Sequence, residues 1–250
     1  AYMSSRLSRG RIEKTVRRAG IDMREYLPAE YKSFNEFFIR KIRPEARPFD
    51  RDPDALIAPC DSCLSAFPLD GESVFFIKGA PYDCTSLLGG NRALAAEFSG
   101  GLCLIFRLRV DNYHRYCYID DGEKGKNIFI PGVLHTVNPV SLGRYNVYKS
   151  NSRSYTVMHT AHFGKVVQVE VGAMMVGRIC NLHGAHSFRR GEEKGYFEFG
   201  GSTVVLLLRP GAAAIDADIL KNGAAGAETV VRLGERIGRA VRNQGIAQTE

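Results

Sequence analysis

The residues best suited to chemistry are a serine that follows two glycines and a small set of histidines and aspartates. Ser202 lies in the run Gly200-Gly-Ser-Thr203, between an alternating strand-like segment and an apolar run. A serine hydroxyl is a weak nucleophile until an oriented base takes its proton. Histidine is the natural acid–base group near neutral pH. On spacing alone, Gly200 and Gly201 also fit a β-bulge or a tight turn, because glycine permits positive φ.

Asp61 and His114 are the next candidates. Asp61 follows the apolar residues 55–58, so we expect it to be partly buried, and a buried carboxylate requires a histidine or arginine partner. The same residue also fits a turn-capping aspartate. His114 lies in a strand-like segment, where a histidine that merely packs in the core is the alternative to an acid–base group.

Two kinds of motif resemble metal or redox sites. They are His159 with His162, His183 with His186 (preceded by Cys180), and Cys60 with Cys63. Metal ligands must converge on one point, and these histidine pairs lie near expected strand ends with no helix to align them. A thioredoxin-like C-x-x-C needs a helix start, which Pro59 and Asp61 do not indicate. We therefore expect packing or solvated histidines, no metal and no redox pair.

Composition excludes several classes of protein. The chain has 250 residues, 44% apolar and 24% charged, and a formal net charge of +7. A disordered chain is excluded, and the length suits a sizeable core. No run approaches the roughly 18–20 apolar residues of a membrane span. The polar, basic start predicts no secretory signal, and Ala1 in place of Met suggests a fragment of a longer product. The six cysteines are too few for a disulfide scaffold, so we expect free thiols in a reducing compartment. No nucleic-acid-binding motif is present.

The elements that must position these residues are a helical lead over 1–45 and a β-rich body. Leu7, Ile12 and Val16 are spaced for one apolar stripe with basic residues between them, and Ser33-x-x-Glu36 has the form of a capping box. Strand patterns occur at 73–78, 102–110, 113–119, 127–130, 155–159, 166–171, 196–199 and 203–208. One helix is predicted over 86–98, and the tail from 212 is weakly helical or mixed. The prediction is an α+β, β-dominated fold of packed antiparallel sheets with a helical N-terminal segment.

A set of short motifs extends over nearly the whole chain. They are Phe34-Asn-Glu-Phe-Phe-Ile-Arg40, Arg43-Pro-Glu-Ala-Arg-Pro48, Ala58-Pro-Cys-Asp-Ser62, Lys78-Gly79, Tyr113-His-Arg115, Ile130-Pro-Gly132 with Val137-Asn138, Val171-Gly-Ala173 with Val176-Gly177, and Gly200-Gly-Ser-Thr203. Each motif alone is weak, but together they keep one family's order and spacing. The sequence resembles the phosphatidylserine decarboxylase family, in its shorter bacterial branch.

The resemblance implies a cofactor made from the chain itself. Members of the family cut their own chain before the serine of the Gly-Ser-Thr motif, here between Gly201 and Ser202. A single catalytic domain, 1–250, would then consist of a β chain, 1–201, and an α chain, 202–250. Ser202 would become a pyruvoyl group, with Thr203 or nearby N–H groups holding the oxyanion. The substrate amine would form a Schiff base with that group and CO2 would leave, without metal or pyridoxal phosphate.

The resemblance also implies roles for individual residues. Asp61 would orient the catalytic base, and His114 would act in decarboxylation. Many members carry a second histidine three residues later, as the base of self-cleavage, where this chain has Cys117. A thiol is mostly neutral at pH 7 and is a poor substitute for imidazole. His135 is the expected replacement, and the alternative is that His114 serves both steps.

The substrate implied is phosphatidylserine, and the product is phosphatidylethanolamine. The residues expected to bind the substrate are Tyr113, Gly172 and Ala173. The basic lead would lie on an anionic lipid surface, as a peripheral protein at the cytoplasmic face of the cell membrane. A homodimer of cleaved units is plausible from the family. Two other functions stay open: a pyruvoyl-dependent decarboxylase of a soluble amino acid, and a non-catalytic lipid-binding module.

Overall fold

The computed structural model describes residues 2–70, 73–134, 149–172, 178–200 and 202–241. Their α-helices are α1 (Arg11–Ala19), α2 (Phe34–Phe38), α3 (Cys84–Leu87), α4 (Arg92–Ala96) and α5 (Ala217–Ala224). Their strands are β1 (Ala55–Ile57), β2 (Ser62–Pro68), β3 (Phe75–Ile77), β4 (Ala80–Tyr82), β5 (Leu102–Leu108), β6 (Arg115–Cys117), β7 (Gly122–Lys124), β8 (Ile128–Ile130), β9 (Val133–Leu134), β10 (Lys149–Ser150), β11 (Arg153–Thr160), β12 (Gly164–Val171), β13 (Ile179–Asn181), β14 (His186–Phe188), β15 (Glu193–Phe197), β16 (Ser202–Leu208), β17 (Ala213–Ile215), β18 (Thr229–Val231) and β19 (Arg236–Ala240).

A nine-stranded antiparallel sheet organises the protein. Its order is β14-β7-β11-β12-β16-β5-β2-β18, and β8 adds to β11. Two three-stranded sheets, β13-β15-β6 and β1-β19-β17, and two hairpin-like pairs, β3-β4 and β9-β10, complete the strands. The β-dominated α+β class expected from the sequence is confirmed.

The central strand is β16, and all seven of its residues are buried. Its side chains alternate between two hydrophobic clusters: Val204 and Leu206 enter one, and Val205 and Leu207 enter the other. Apolar packing on both faces explains why the sequence here is a continuous apolar run instead of an alternating one. Ser202 is the first residue of this strand, which lies between β12 and β5 in the interior of the sheet.

The N-terminal lead is only partly α-helical. Besides α1 and α2 it contains short 3-10 helices at Tyr2–Ser4, Arg6–Ser8, Met23–Glu25 and Pro44–Ala46. Ile12 and Val16 pack against the α2 phenylalanines, as the stripe predicts, but Leu7 is 81% exposed and does not join them. Ser33 accepts a hydrogen bond from the Glu36 amide at 3.2 Å, which confirms the cap at the start of α2, but the Glu36 carboxylate accepts from the Lys32 amide at 2.7 Å and does not complete the capping box.

The structure corrects other local predictions. The helix expected over 86–98 is two short helices, because Gly89 and Gly90 adopt φ of +68° and +91° between them. The strand expected at 196–199 starts earlier, at Glu193, and ends at Phe197. The tail, expected to be weak, contributes three strands and α5.

Among the described residues, no helix combines the length and the apolar character that a membrane crossing requires.

All six cysteines are described, and all are free thiols, as the sequence predicts.

Candidate active site

Ser202 is held at the start of the central strand. It is 2% exposed and pairs with Leu108 of β5, while Thr203 pairs with both Arg107 of β5 and Val171 of β12. The Ser202 hydroxyl donates to the carbonyl oxygen of Gly200 at 3.3 Å. The pairing of Ser202 with β5, and of the next residue with both neighbouring strands, fixes the position of this serine, and its Oγ lies against the chain that precedes it.

Helix α2 holds the segment just before this serine. Asn35 Oδ1 accepts a hydrogen bond from the Phe199 amide at 2.8 Å. The Phe199 ring makes edge contacts with Phe34 and Phe38, at centroid distances of 5.2 and 5.3 Å. Edge-to-face aromatic pairs contribute about 0.5–1.5 kcal/mol each beyond the area they bury. Helix α2 of the N-terminal lead therefore holds the loop that precedes β16 in place.

His114 is packed on the same helix. It is 1% exposed, its ring centroid lies 3.7 Å from that of Phe38, and its carbonyl accepts from the Phe197 amide at 2.9 Å. Its Nδ1 lies 2.9 Å from the carbonyl oxygen of Asn112. A carbonyl only accepts, so we assign the hydrogen to Nδ1, which leaves a lone pair on Nε2. Nε2 is therefore the atom of His114 that can accept a proton.

Burial and two cations keep His114 neutral. They lower the pKa of His114 to about 3: burial has the largest effect, the charge of Arg40 comes next, and that of Lys78 adds to it, against the opposing Nδ1 hydrogen bond. Arg40 is itself 2% exposed, with its guanidinium 4.2 Å from the Tyr26 ring centroid and Nη2 3.0 Å from the Tyr26 hydroxyl. A neutral imidazole in such a place gains basicity only when negative charge develops beside it.

Lys78 reaches the same region from the β3–β4 turn, and its part in the site was missed by the sequence analysis. Its Nζ donates to the carbonyl oxygen of Val171 at 2.9 Å, and Val171 pairs with Thr203. Much of the residue is exposed, but desolvation of the ammonium lowers the pKa of Lys78 to about 7. The backbone φ is +54°, and Gly79 follows at +74°. The sequence signal that was available is the Lys78-Gly79 motif itself. The structure adds that this lysine lies in the left-handed region, which is uncommon for a residue other than glycine.

Asp61 is buried, and its side-chain partners among the described residues are an arginine and a backbone amide, with no histidine among them. Its carboxylate accepts from Arg47 Nε at 2.8 Å, from Arg47 Nη2 at 2.7 Å and from the Leu233 amide at 2.9 Å. The arginine continues through Nη1 to Glu25 Oε2 at 3.0 Å. Although burial opposes the charge, the hydrogen bonds to Asp61 raise the pKa of Arg47 above its usual value. The burial expected for Asp61 is confirmed, and the partner is an arginine.

Cys117 is not equipped to act as a base. The residue is 3% exposed, and burial raises the pKa of its thiol to about 12. It therefore stays neutral near pH 7, as expected from the sequence. Three other predicted site residues, His135, Ala173 and Gly201, lie outside the described residues.

The two remaining predicted substrate contacts differ in setting. Tyr113 is 5% exposed, lies 6.3 Å from Tyr26 between ring centroids, and has its pKa raised to about 12 mainly by burial. Gly172 is buried at the end of β12, where its amide donates to the Ser152 carbonyl at 2.9 Å. Gly172 directly follows the strand residue that binds Lys78, whereas Tyr113 packs in the core.

The remaining histidines separate into two groups. His159 is exposed, and His162 bonds through Nδ1 to Asp120 at 2.9 Å. The rings of His183 and His186 stack on each other.

Comparison of the sequence with known proteins identifies its family. The sequence profile of the phosphatidylserine decarboxylase family matches residues 34–239. A phosphatidylserine decarboxylase proenzyme 2 of Clostridium acetobutylicum is 47% identical over 228 residues, 91% of this chain and 78% of that protein. Phosphatidylserine decarboxylase proenzymes of Clostridium botulinum (strain 657 / Type Ba4) and Clostridium perfringens are 40% and 38% identical, each over 95% of this chain and 82% of the relative. The chain belongs to the phosphatidylserine decarboxylase family.

Membership confirms the resemblance drawn from the motifs. The family match begins at Phe34, the first residue of α2, and includes Asp61, His114 and Ser202. It leaves out α1 and its basic residues. The contacts of α2 with the loop before β16 thus lie within the matched part, while the basic residues of α1 lie outside it.

Proposed function

We propose that this chain is a self-cleaving proenzyme that decarboxylates phosphatidylserine to phosphatidylethanolamine through a pyruvoyl group at residue 202. The observation that carries the proposal is Ser202 itself, a buried serine that pairs with β5 at the start of the central strand and directly precedes Thr203, which pairs with both neighbouring strands. The family relatives are named proenzymes, which supports a chain that matures by cleavage.

The cleavage step uses the serine as a nucleophile on its own chain. Nε2 of His114 takes the Oγ proton, Oγ bonds to the carbonyl carbon of Gly201, and the bond from that carbon to the Ser202 nitrogen breaks as the nitrogen gains a proton. The ester so formed loses the Ser202 Cα proton and releases the Gly201 carboxylate. Hydrolysis then releases ammonia and leaves the pyruvoyl group. His135, the base expected from the sequence, is the alternative to His114 in this step.

The described residues suit a group formed in place. After cleavage, residue 202 would keep its ladder partner Leu108, and Thr203 would keep Val171, so the new chain start would stay in register. The pyruvoyl carbonyl would supply an electrophile for the substrate amine and a sink for the electrons released with CO2. Lys78 and Arg40 supply positive charge nearby, which suits a substrate carrying a carboxylate and a phosphate.

The proposed partner is an anionic lipid surface at the cytoplasmic face of the cell membrane. The basic side chains of α1 are exposed, while Ile12 and Val16 face α2. Lysine and arginine near an anionic membrane contribute about 1 kcal/mol each. Binding to phosphatidylserine vesicles should weaken as salt rises, and replacing Arg11, Lys14 and Arg18 by glutamine should weaken it further. We also propose that the chain is a single catalytic domain. Its cleaved units would form a homodimer, which sedimentation measures.

The test combines intact mass under denaturing conditions with CO2 release from phosphatidylserine vesicles. The parent chain should give two pieces split at 201–202, the second blocked by a pyruvoyl group. Ser202→Ala should remain whole and release no CO2, whereas a control at the exposed His159, His159→Gln, should behave like the parent. Decarboxylation by Ser202→Ala would refute the mechanism. A parent chain that stays whole would favour a non-catalytic module, and release from free serine alone would favour a soluble substrate.

The base is identified by two further variants. His114→Gln should abolish cleavage in a chain that still folds, as judged by its circular dichroism. His135→Gln should cleave at the parent's rate. The opposite pattern would assign the proton transfer to His135.

A further inference from the structure

We propose that His183, His186 and Glu192 form a binding site for one divalent transition-metal cation, of the class to which Zn²⁺ belongs. The metal-binding atoms of the three side chains all lie within 4.8 Å of one another. The two imidazole rings stack at a centroid distance of 4.0 Å and an angle of 14°. The sequence contains two separate histidine pairs, but among the described residues only His183 and His186 converge with a carboxylate as a set of three possible ligands.

The distances suit a single small ion. Glu192 Oε1 lies 2.7 Å from His186 Nε2 and 3.7 Å from His183 Nε2. Zinc bonds of about 2.0–2.1 Å in a tetrahedron separate the ligands by ~3.4 Å. The two distances lie on either side of that value, so rotations of these partly exposed side chains bring all three atoms into place. A fourth position would remain for water.

Neighbouring groups already orient the ligands. Tyr118 Oη lies 3.2 Å from His183 Nδ1, and as an acceptor there it holds the hydrogen on Nδ1 and the lone pair on Nε2. The Tyr118 ring stacks on Phe188 at 4.1 Å and 8°, so it is itself fixed. Glu192 Oε2 accepts from the Arg189 amide at 2.9 Å, which leaves Oε1 for the cation. Such outer partners typically change metal affinity by about 10–100-fold.

The donor set selects the class of cation. Two imidazoles and one carboxylate suit Zn²⁺ and its neighbours, whereas Mg²⁺ prefers a shell of oxygen atoms. The ammonium of Lys124 donates to the His183 carbonyl at 3.1 Å, so its charge opposes the cation and limits the affinity. The site accordingly points to a zinc-type ion and to moderate binding.

A bound ion would join two strands. His186 begins β14, and Glu192 immediately precedes β15, which runs toward the loop before Ser202. An ion held by both therefore stabilises this turn of the chain. Because a ligand that binds only the folded state raises its stability by mass action, the melting temperature should rise with the metal concentration.

The test is a Zn²⁺ titration of the full, untagged Ser202→Ala chain after treatment with a chelator, followed by calorimetry and thermal unfolding. We expect one equivalent to bind, with a rise in melting temperature, and no binding of Mg²⁺ at the same concentration. His186→Ala and Glu192→Gln should each weaken binding at least ~10-fold and abolish the rise. These side chains are about one-third exposed, so the variants should fold, as their metal-free melting temperatures will show.

Two controls keep the proposal falsifiable. His159→Ala removes an exposed histidine elsewhere, and Cys180→Ser removes the cysteine that precedes the histidine pair in the sequence; both variants should bind Zn²⁺ like the parent chain. The proposal fails if the parent binds no stoichiometric Zn²⁺ or if Glu192→Gln binds as tightly as the parent. It also fails if Cys180→Ser loses the ion, which would make the ligand a thiol.

Discussion

Replacing Asp61 separates an anchoring role from a catalytic one. The resemblance to the family makes Asp61 the residue that orients the base, but its carboxylate is occupied by Arg47 and by the amide of Leu233. The side chains of the ion pair are 6% and 7% exposed. If the carboxylate mainly anchors the arginine, Asp61→Asn should cost stability first and slow cleavage only as a consequence.

The expected loss follows from the contacts left behind. Removing one partner of a buried ion pair costs about 3–5 kcal/mol of unfolding free energy. Arg47 without Asp61 keeps Glu25 at 3.0 Å and the Ala46 carbonyl at 2.7 Å, so Asp61→Asn belongs near the lower end. Asp61 without Arg47 keeps only the Leu233 amide among its partners in the described part of the chain, so Arg47→Met belongs near the upper end. Because the unfolding free energy of a domain is about 5–15 kcal/mol, both losses should be readily measured.

Urea unfolding of Ser202→Ala chains measures these stabilities without interference from cleavage. The double variant with Asp61→Asn and Arg47→Met should be more stable than the sum of the single losses predicts, by roughly 0.5–3 kcal/mol. Cleavage is followed separately in chains that retain Ser202. If Asp61→Asn unfolds at the same urea concentration as its parent while its Ser202 chain no longer cleaves, the anchoring argument is wrong and the carboxylate acts on the chemistry.

Three further outcomes are expected. Because the pKa of His114 is lowered to about 3 in the folded state, the unfolded state binds a proton below about pH 6.5 that the native state does not. The free energy of unfolding should therefore fall between about pH 6.5 and pH 3, by at most about 1.4 kcal/mol per pH unit. His114→Gln should flatten that part of the pH profile measured by urea unfolding. Asn35→Ala removes the acceptor for the Phe199 amide and should slow cleavage, timed by intact mass, while lowering global stability by only about 0.5–1.5 kcal/mol. Glu170→Gln removes the carboxylate that lies 2.7 Å from the fully buried Lys194 ammonium, and it should lower the free energy of unfolding in urea by about 3–5 kcal/mol. Adding Lys194→Met should recover part of that loss, and no recovery would contradict the pairing.

The sequence predicted well the parts of the fold in which local pattern and burial agree. The run at 203–208 is apolar at every position because both faces of β16 are covered, and the cap at Ser33 starts α2 where the motif predicts. Short strands such as β13 and β14 were missed, because three residues between polar neighbours carry little periodicity. Gly89 and Gly90 were the visible signal that the helix over 86–98 is broken.

The candidate site was predicted in its residues more than in its contacts. The motifs identified Ser202 and His114, and the structure describes both as buried. The pairing of Asp61 with Arg47, and the approach of Lys78 to Val171, bring together residues that are distant in sequence. No local pattern specifies such contacts, because they depend on how the strands are ordered in the sheet.

The position of β16 has a consequence for the lifetime of the cleaved protein. This strand would open the α chain, yet its neighbours on both sides, β12 and β5, belong to the β chain. The continuous polypeptide can insert this strand during folding, whereas two separated pieces would have to find each other and insert it at the centre of a sheet. After cleavage, unfolding would therefore be irreversible, because the two separated chains would not refold into the sheet. The working life of the enzyme would be set by its rate of unfolding instead of its equilibrium stability, since each molecule that opens would be lost.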